Sequence, residues 1–167
     1  MSGERIIIVK AITVNGKEYK LEFTFEAAEH RELVQKMFEI LSGSYLFRNS
    51  KISDMDKDSK ERMIGDMVDG ASAMVAEIPH ICLVAFYAGL LENNSLPEGE
   101  AKKVMRAYMK ENKISYSKLY EEIKNCMEDD GFFELSGLTD MVNQMNGTEK
   151  KAVKTPQDHK KKSTSTK

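Results

Sequence analysis

Apolar and polar residues alternate at the start of the chain, and apolar residues then recur every three or four positions over most of its length. The alternation turns at Asn15-Gly16, a pair suited to a type I′ hairpin because both central residues need positive φ. Registering the strands about that turn sets Val14 against Lys17, Ile12 against Tyr19, Lys10 against Leu21, Ile8 against Phe23 and Ile6 against Phe25 on one face. Glu18, Lys20, Glu22 and Thr24 take the other face. The hairpin is predicted over about 5–25 and helices over about 26–41, 59–77, 79–92, 96–111, 115–130 and 135–145. The fold class that follows is α+β, mainly α-helical, with an N-terminal β-hairpin packed on a helical bundle around a buried central helix.

That central helix is read at Glu77–Leu91, the most apolar stretch of the sequence. Apolar side chains cover every face after His80, which predicts burial on all sides. Pro79 fits a first helical turn and marks a kink or break from the helix before it. The run is too short and too closely flanked by charge to span a bilayer. Around it, Leu33, Val34, Met37, Phe38 and Leu41 make the stripe of the first helix, which Ser42-Gly43 ends. Tyr45, Leu46 and Phe47 pin the connector after it to the body. Met63, Ile64, Met67, Val68, Ala71, Met74 and Val75 make the stripe of the second helix. Ser95-Leu96-Pro97-Glu98 has the pattern of a capping box. Ala101, Val104, Met105, Tyr108 and Met109 then share one face. Tyr116, Leu119, Tyr120, Ile123, Cys126 and Met127 follow the same rhythm in the next helix, closed by Gly131, after which Phe132 and Phe133 fold back. A last short helix carries Leu138, Met141, Val142 and Met145.

Length and composition place residues 1–146 in a single globular domain, with 147–167 a disordered tail rich in Lys, Ser and Thr. The net charge of −2 hides a division. From Gly147 onward seven lysines face two acids, a net +5, so the preceding residues carry −7. An acidic body with a basic tail suits an interaction protein, and it leaves nucleic-acid binding through the tail as the alternative reading. Cys82 and Cys126 both lie on apolar helix faces, which points to a reduced cytosolic setting. No signal peptide pattern precedes the first strand.

Chemistry-bearing motifs are not apparent. His30, His80 and His159 have no second ligand at metal-site spacing, so His80 is read as a structural cap or core imidazole, and no metal or cofactor is expected. Asp54-Met55-Asp56-Lys57-Asp58 begins like a calcium loop, but Ser59 stands where the loop needs Gly and Gly65 where it needs Glu. Adjacent acids at Glu121-Glu122 and Glu128-Asp129-Asp130 do not face one another on a helix. The chain is therefore read as a non-enzyme. Its eleven methionines mostly fall on helix stripes, where core filling is the ordinary role. Methionine also suits surfaces that accept varied apolar helices, and Met37, Met63, Met67, Met105, Met109, Met141 and Met145 are the candidates for an adaptable partner-binding groove.

The order of these parts also carries a resemblance. Val14-Asn15-Gly16-Lys17-Glu18-Tyr19-Lys20-Leu21-Glu22-Phe23-Thr24-Phe25 opens it, and Phe86-Tyr87-Ala88-Gly89-Leu90-Leu91 sits at its centre. The helix from Asn112-Lys113 through Ser115-Tyr116-Ser117-Lys118-Leu119-Tyr120-Glu121-Glu122-Ile123 follows and ends at Asp129-Asp130-Gly131-Phe132-Phe133. Over roughly residues 6–133 this resembles the tail assembly chaperones of long, flexible-tailed bacteriophages and prophages of Gram-positive hosts. The resemblance implies binding of the phage tape measure protein, which such proteins keep soluble in the host cytoplasm until tail tube protein polymerises around it. They are absent from the mature virion. It also implies a longer form made by programmed frameshifting, and Lys160-Lys161-Lys162 fits an adenine-rich slippery run. Self-association is compatible with this role.

Overall fold

The structure, a computed structural model, describes residues 10–43 and 57–152, with side chains placed from Lys10 to Gly43 and from Glu61 to Gly147. Two strands, β1 (Lys10–Val14) and β2 (Lys17–Leu21), form an antiparallel hairpin. They are followed by α1 (Phe25–Glu29), α2 (Arg31–Leu41), α3 (Lys57–Leu91), α4 (Glu98–Asn112), α5 (Tyr116–Asp129), α6 (Phe132–Leu135) and α7 (Leu138–Ala152). The fold is α+β and mainly α-helical, as the periodicity predicts.

The hairpin register is the expected one, with Lys10 opposite Leu21, Ile12 opposite Tyr19 and Val14 opposite Lys17. Asn15 at φ 51° and Gly16 at φ 75° supply the two left-handed residues of the turn. Ile12, Val14, Tyr19 and Leu21 are buried, so the alternation lays one face of the ribbon on the helices. Ile6 and Ile8, the expected partners of Phe25 and Phe23, lie outside the described residues. The pairing of Phe25 fails for another reason: β2 stops at Leu21, Phe25 opens α1, and its side chain is exposed. The single helix expected over 26–41 is divided at His30, whose extended backbone ends α1 and whose Nδ1 accepts the Leu33 N–H at 3.3 Å to cap α2. The connector at Tyr45, Leu46 and Phe47 lies outside the described residues.

The largest correction concerns Pro79. Residues 57–91 form one uninterrupted helix, not two. Pro79 lacks the N–H that the Val75 carbonyl would accept, a defect worth about 3 kcal/mol inside a helix. Val75 and Pro79 are both exposed, so water can take that carbonyl. A salt bridge and a hydrogen bond hold the chain on either side of the defect: Lys36 Nζ lies 3.2 Å from Glu77 Oε2, and His80 Nε2 lies 2.8 Å from Glu32 Oε1. His80 is thus an exposed tie between α3 and α2, not a cap or a core imidazole. Without the break, Glu61–Leu91 is long and apolar enough by length and composition to cross a membrane, which removes the length argument made from the shorter run. Half of its most apolar 18-residue window is buried inside the protein.

The buried half is the predicted core helix. Ile81 to Phe86, Ala88, Gly89 and Leu90 are all buried, enclosed by α1, α2, α4, α5 and β2. Leu33 and Met37 of α2, Ala101 and Met105 of α4, and Leu119, Ile123 and Met127 of α5 pack around them. No capping box forms at Ser95 and Glu98; Pro97 occupies the N-cap of α4 without a side-chain bond, and its carbonyl accepts the N–H groups of Glu100 and Ala101. Gly131, at φ 72°, ends α5 as expected, and Phe132 and Phe133 then turn into the core. The last helix starts at Leu138 and runs past Asn146 to Ala152, so the ordered chain extends into the stretch expected to be a tail; residues 153–167 lie outside the description.

The chain leaving β2 is bound to the end of α3 through its backbone. Glu22 N–H donates to Gly89 O at 2.8 Å, Phe23 N–H to Asp130 Oδ2 at 2.8 Å, and Glu26 N–H to Glu92 Oε2 at 3.1 Å. Such proximity needs a residue without a side chain at 89. A Cβ there would lie 2.7 Å from Phe23 Cζ, and the Phe23 ring is itself held edge-on by Phe132 at 6.3 Å. Gly89→Leu is expected to lower stability by roughly 1–3 kcal/mol through overpacking. Adding Phe23→Ala to that variant should cost less than the two changes summed. Denaturant midpoints check both, and additivity would refute the contact. Pro79→Ala is expected to do the opposite, raising stability by about 1–2 kcal/mol, since the regained helical bond outweighs the freer unfolded chain.

Candidate partner-binding surface

Most large apolar side chains of the helices are covered, so the uncovered ones stand out. Among the described residues, all of them but Phe25 and Leu41 fall on two surfaces. The first lies where α7 runs beside α2. Gly137, at φ 78°, turns the chain out of α6, and Met141 N–H donates to its carbonyl at 3.1 Å as α7 begins. Leu138 is buried and anchors that first turn. Met141, three residues on, is 52% exposed and lines an open cleft of about 440 Å³ with Ala28, Val34, Phe38 and Leu138. Arg31, Gln35 and Ser136 give the cleft its polar groups. Met145, one turn beyond Met141, and Leu135 of α6 add exposed apolar surface beside it.

The second surface is the N-terminal half of α3. Met63, Ile64, Met67, Val68 and Val75 are all exposed, and Met74 and Ile78 on the same face are half-buried. This stripe was read from sequence as one helix face. Its exposure was not legible there, because periodicity shows which residues share a face and not whether another element covers it.

The seven methionines chosen from sequence therefore separate. Met63 and Met67 belong to the α3 surface, and Met141 and Met145 to the α7 surface. Met105 does not belong to any surface: it is 1% exposed, one turn after buried Ala101 on the inner face of α4. Met109, one turn further on, is partly buried and packs against the core. Met37 is also fully buried, on the inner face of α2. Sequence reasoning passed over Val34 and Phe38 as cleft residues and treated them as core. Phe38 lies only one residue from Met37, so a stripe read by spacing alone merges the two.

The titratable groups with displaced protonation have structural surroundings. Cys82 is buried, its thiol donates to Tyr116 O at 3.4 Å, and burial pushes its pKa up to about 12, which makes it an inert thiol. Burial also raises Asp130, against the hydrogen bond from Phe23 N–H. Glu122 receives Lys10 Nζ at 3.0 Å and the Tyr108 hydroxyl at 2.9 Å. Burial works to raise its pKa, but these two hydrogen bonds and the charges of Lys10 and Lys118 carry it below the usual glutamate range. Asp54, Met55 and Asp56 of the calcium-like run lie outside the described residues, and Lys57 already opens α3. Among the described residues no group of three or more His, Cys, Asp and Glu is placed to hold a metal ion. With this geometry in hand, comparisons of the chain with protein-family models, with curated proteins and with solved structures gave no match.

Because the Glu122 pKa is lowered on folding, its contribution is complete above the ordinary carboxylate range and is lost as pH falls through the lowered value. Glu122→Gln is expected to cost about 1–2 kcal/mol near neutrality. The difference from the parent protein should shrink below about pH 4. Unfolding curves at both pH values test the sign, and a difference that grew on acidification would refute it.

Proposed function

We propose that this protein is a phage tail assembly chaperone that binds the tape measure protein in the host cytoplasm, keeps it soluble and helps recruit tail tube protein. The observation that carries this reading is the α2–α7 cleft, an open apolar groove edged by Arg31 and Gln35 and flanked by the exposed Met141 and Met145. A groove between two helices suits the apolar face of an amphipathic helix, with anchors spaced at i, i+3, i+4 and i+7. Flexible, polarisable methionines let one groove accept many successive stretches of a long helical chain whose side chains vary. The resemblance of residues 6–133 to such chaperones supports the same partner.

The size of the surface agrees with a temporary hold. Covering three or four apolar side chains at about 1.5–3 kcal/mol each yields on the order of 5–10 kcal/mol. Association costs consume much of that gain. The balance gives affinities no tighter than about the millimolar range per site, weak enough for release as the tail tube assembles and strengthened when several copies line one tape measure chain.

Co-expression with its cognate tape measure protein should raise the soluble yield of that protein and allow the two to be purified as a complex. Replacing both Met141 and Met145 by Asp should abolish the gain while leaving the chaperone folded, because both side chains are already exposed. No complex and no gain in solubility with the unaltered chain would overturn the proposal.

A further inference from the structure

The exposed half of α3 lies outside the cleft and has an order of its own. Counting outward from Ala71, the stripe holds Val68 and Met74 at three residues, Met67 and Val75 at four, and Ile64 and Ile78 at seven. At 3.6 residues per turn all of these share one face. A second helix of the same sequence, laid antiparallel with a two-fold axis at Ala71, meets this face with like residues. Met67 packs on the second copy's Met74, Val68 on its Val75, Ile64 on its Ile78, and Ala71 on its Ala71. Such a match is what a self-complementary two-fold interface requires.

We propose that this face is covered by a second copy of the same chain, paired antiparallel about Ala71. Ala71 is small, and Gly70 and Ser72 on either side of it are small too, so the helices can approach closely at the axis. Asp66 and Asp69 lie on the opposite face of α3, level with the second copy's Ala76 and Ala73, so no carboxylate opposes another. Glu77, at the edge of the seam, is already paired with Lys36. A parallel pair is excluded by the body of the protein. From Ile81 to Phe86 α3 is buried on every side, and two helices 8–10 Å apart cannot both be enclosed at the same end. Antiparallel pairing sends the two bodies to opposite ends, with the helices crossing at Ala71 so that residues 57–61 of the second copy diverge from the first body. The apolar surface covered is on the order of 500–1,000 Å² in total, below the roughly 1,200–2,000 Å² of stable specific interfaces, so the dimer is a weak one that forms reversibly with concentration.

The inference is independent of the cleft and of its partner. Sedimentation velocity of the full chain over a concentration series should show a monomer–dimer equilibrium. Ala71→Glu and Ala71→Lys each place like charges face to face at the axis, and each should raise the dissociation constant more than about tenfold without loss of helical circular dichroism. An equimolar mixture of the two variants should recover the dimer. For orientation, Met67→Cys and Met74→Cys are made separately in a Cys126→Ser background and oxidised; the mixture should cross-link, and neither should do so alone. A monomer at every concentration, dimerisation undisturbed by Ala71→Glu, or Met67→Cys cross-linking to itself would overturn the proposal. So would sedimentation of the monomer with lipid vesicles that Ala71→Glu abolishes, which would assign the stripe to a membrane surface. Loss of the dimer with the Ala71 variants, while the tape measure protein is still solubilised, would separate this surface from the α2–α7 cleft.

Discussion

The close approach of Phe23 to Gly89 holds the fold together, because it is where the hairpin, the central helix and the α5–α6 corner meet. The missing side chain at Gly89 lets the ring lie against the α3 backbone, and the ring in turn rests on Phe132. The backbone follows the same route. Glu22 donates to the Gly89 carbonyl and Phe23 to the Asp130 carboxylate, so one strap closes the ends of α3 and α5 together. A two-stranded ribbon has little stability of its own. Here its apolar face is buried by α3 and α4, and Lys10 and Asn15 reach Glu122 of α5 and Glu111 of α4. The N-terminal hairpin is thus a clamp across helices more than 70 residues away in the chain.

What was legible in the sequence followed from local chemistry. Asn15-Gly16 fixed the hairpin register because only a turn with two left-handed residues fits the twist of the strands. Gly131 stopped α5 for a related reason. The inner faces of α2, α4 and α5 were readable because a strong period of 3.6 has one buried solution. The errors came from tertiary context. Pro79 indicated a break, yet burial of Ile81–Leu90 on one side and ties from Lys36 and Glu32 to either side of it keep the helix continuous. His30 carried no visible signal for a helix division; its imidazole caps α2 only because the chain turns there. Of the methionines chosen for a groove, Met63, Met67, Met141 and Met145 are exposed. Met105 was misplaced because methionine fills cores and lines grooves with the same spacing.

The unbroken α3 gives the molecule its division of labour. Its C-terminal half is enclosed and sets the geometry of the body, while its N-terminal half keeps an apolar face uncovered. Helices of this kind owe most of their stability to the face they bury. Residues 61–76 contain Gly65 and Gly70, each costing about 1 kcal/mol relative to alanine, and expose the stripe that would stabilise them. Such a segment gains its full order only when that stripe is covered. Its helicity and its occupancy by a partner are therefore linked, and any ligand of the stripe must supply the ordering cost out of its own binding energy. That linkage favours an occupant matched in length to the stripe that gains order in the same step, a condition that a second copy of α3 meets by construction.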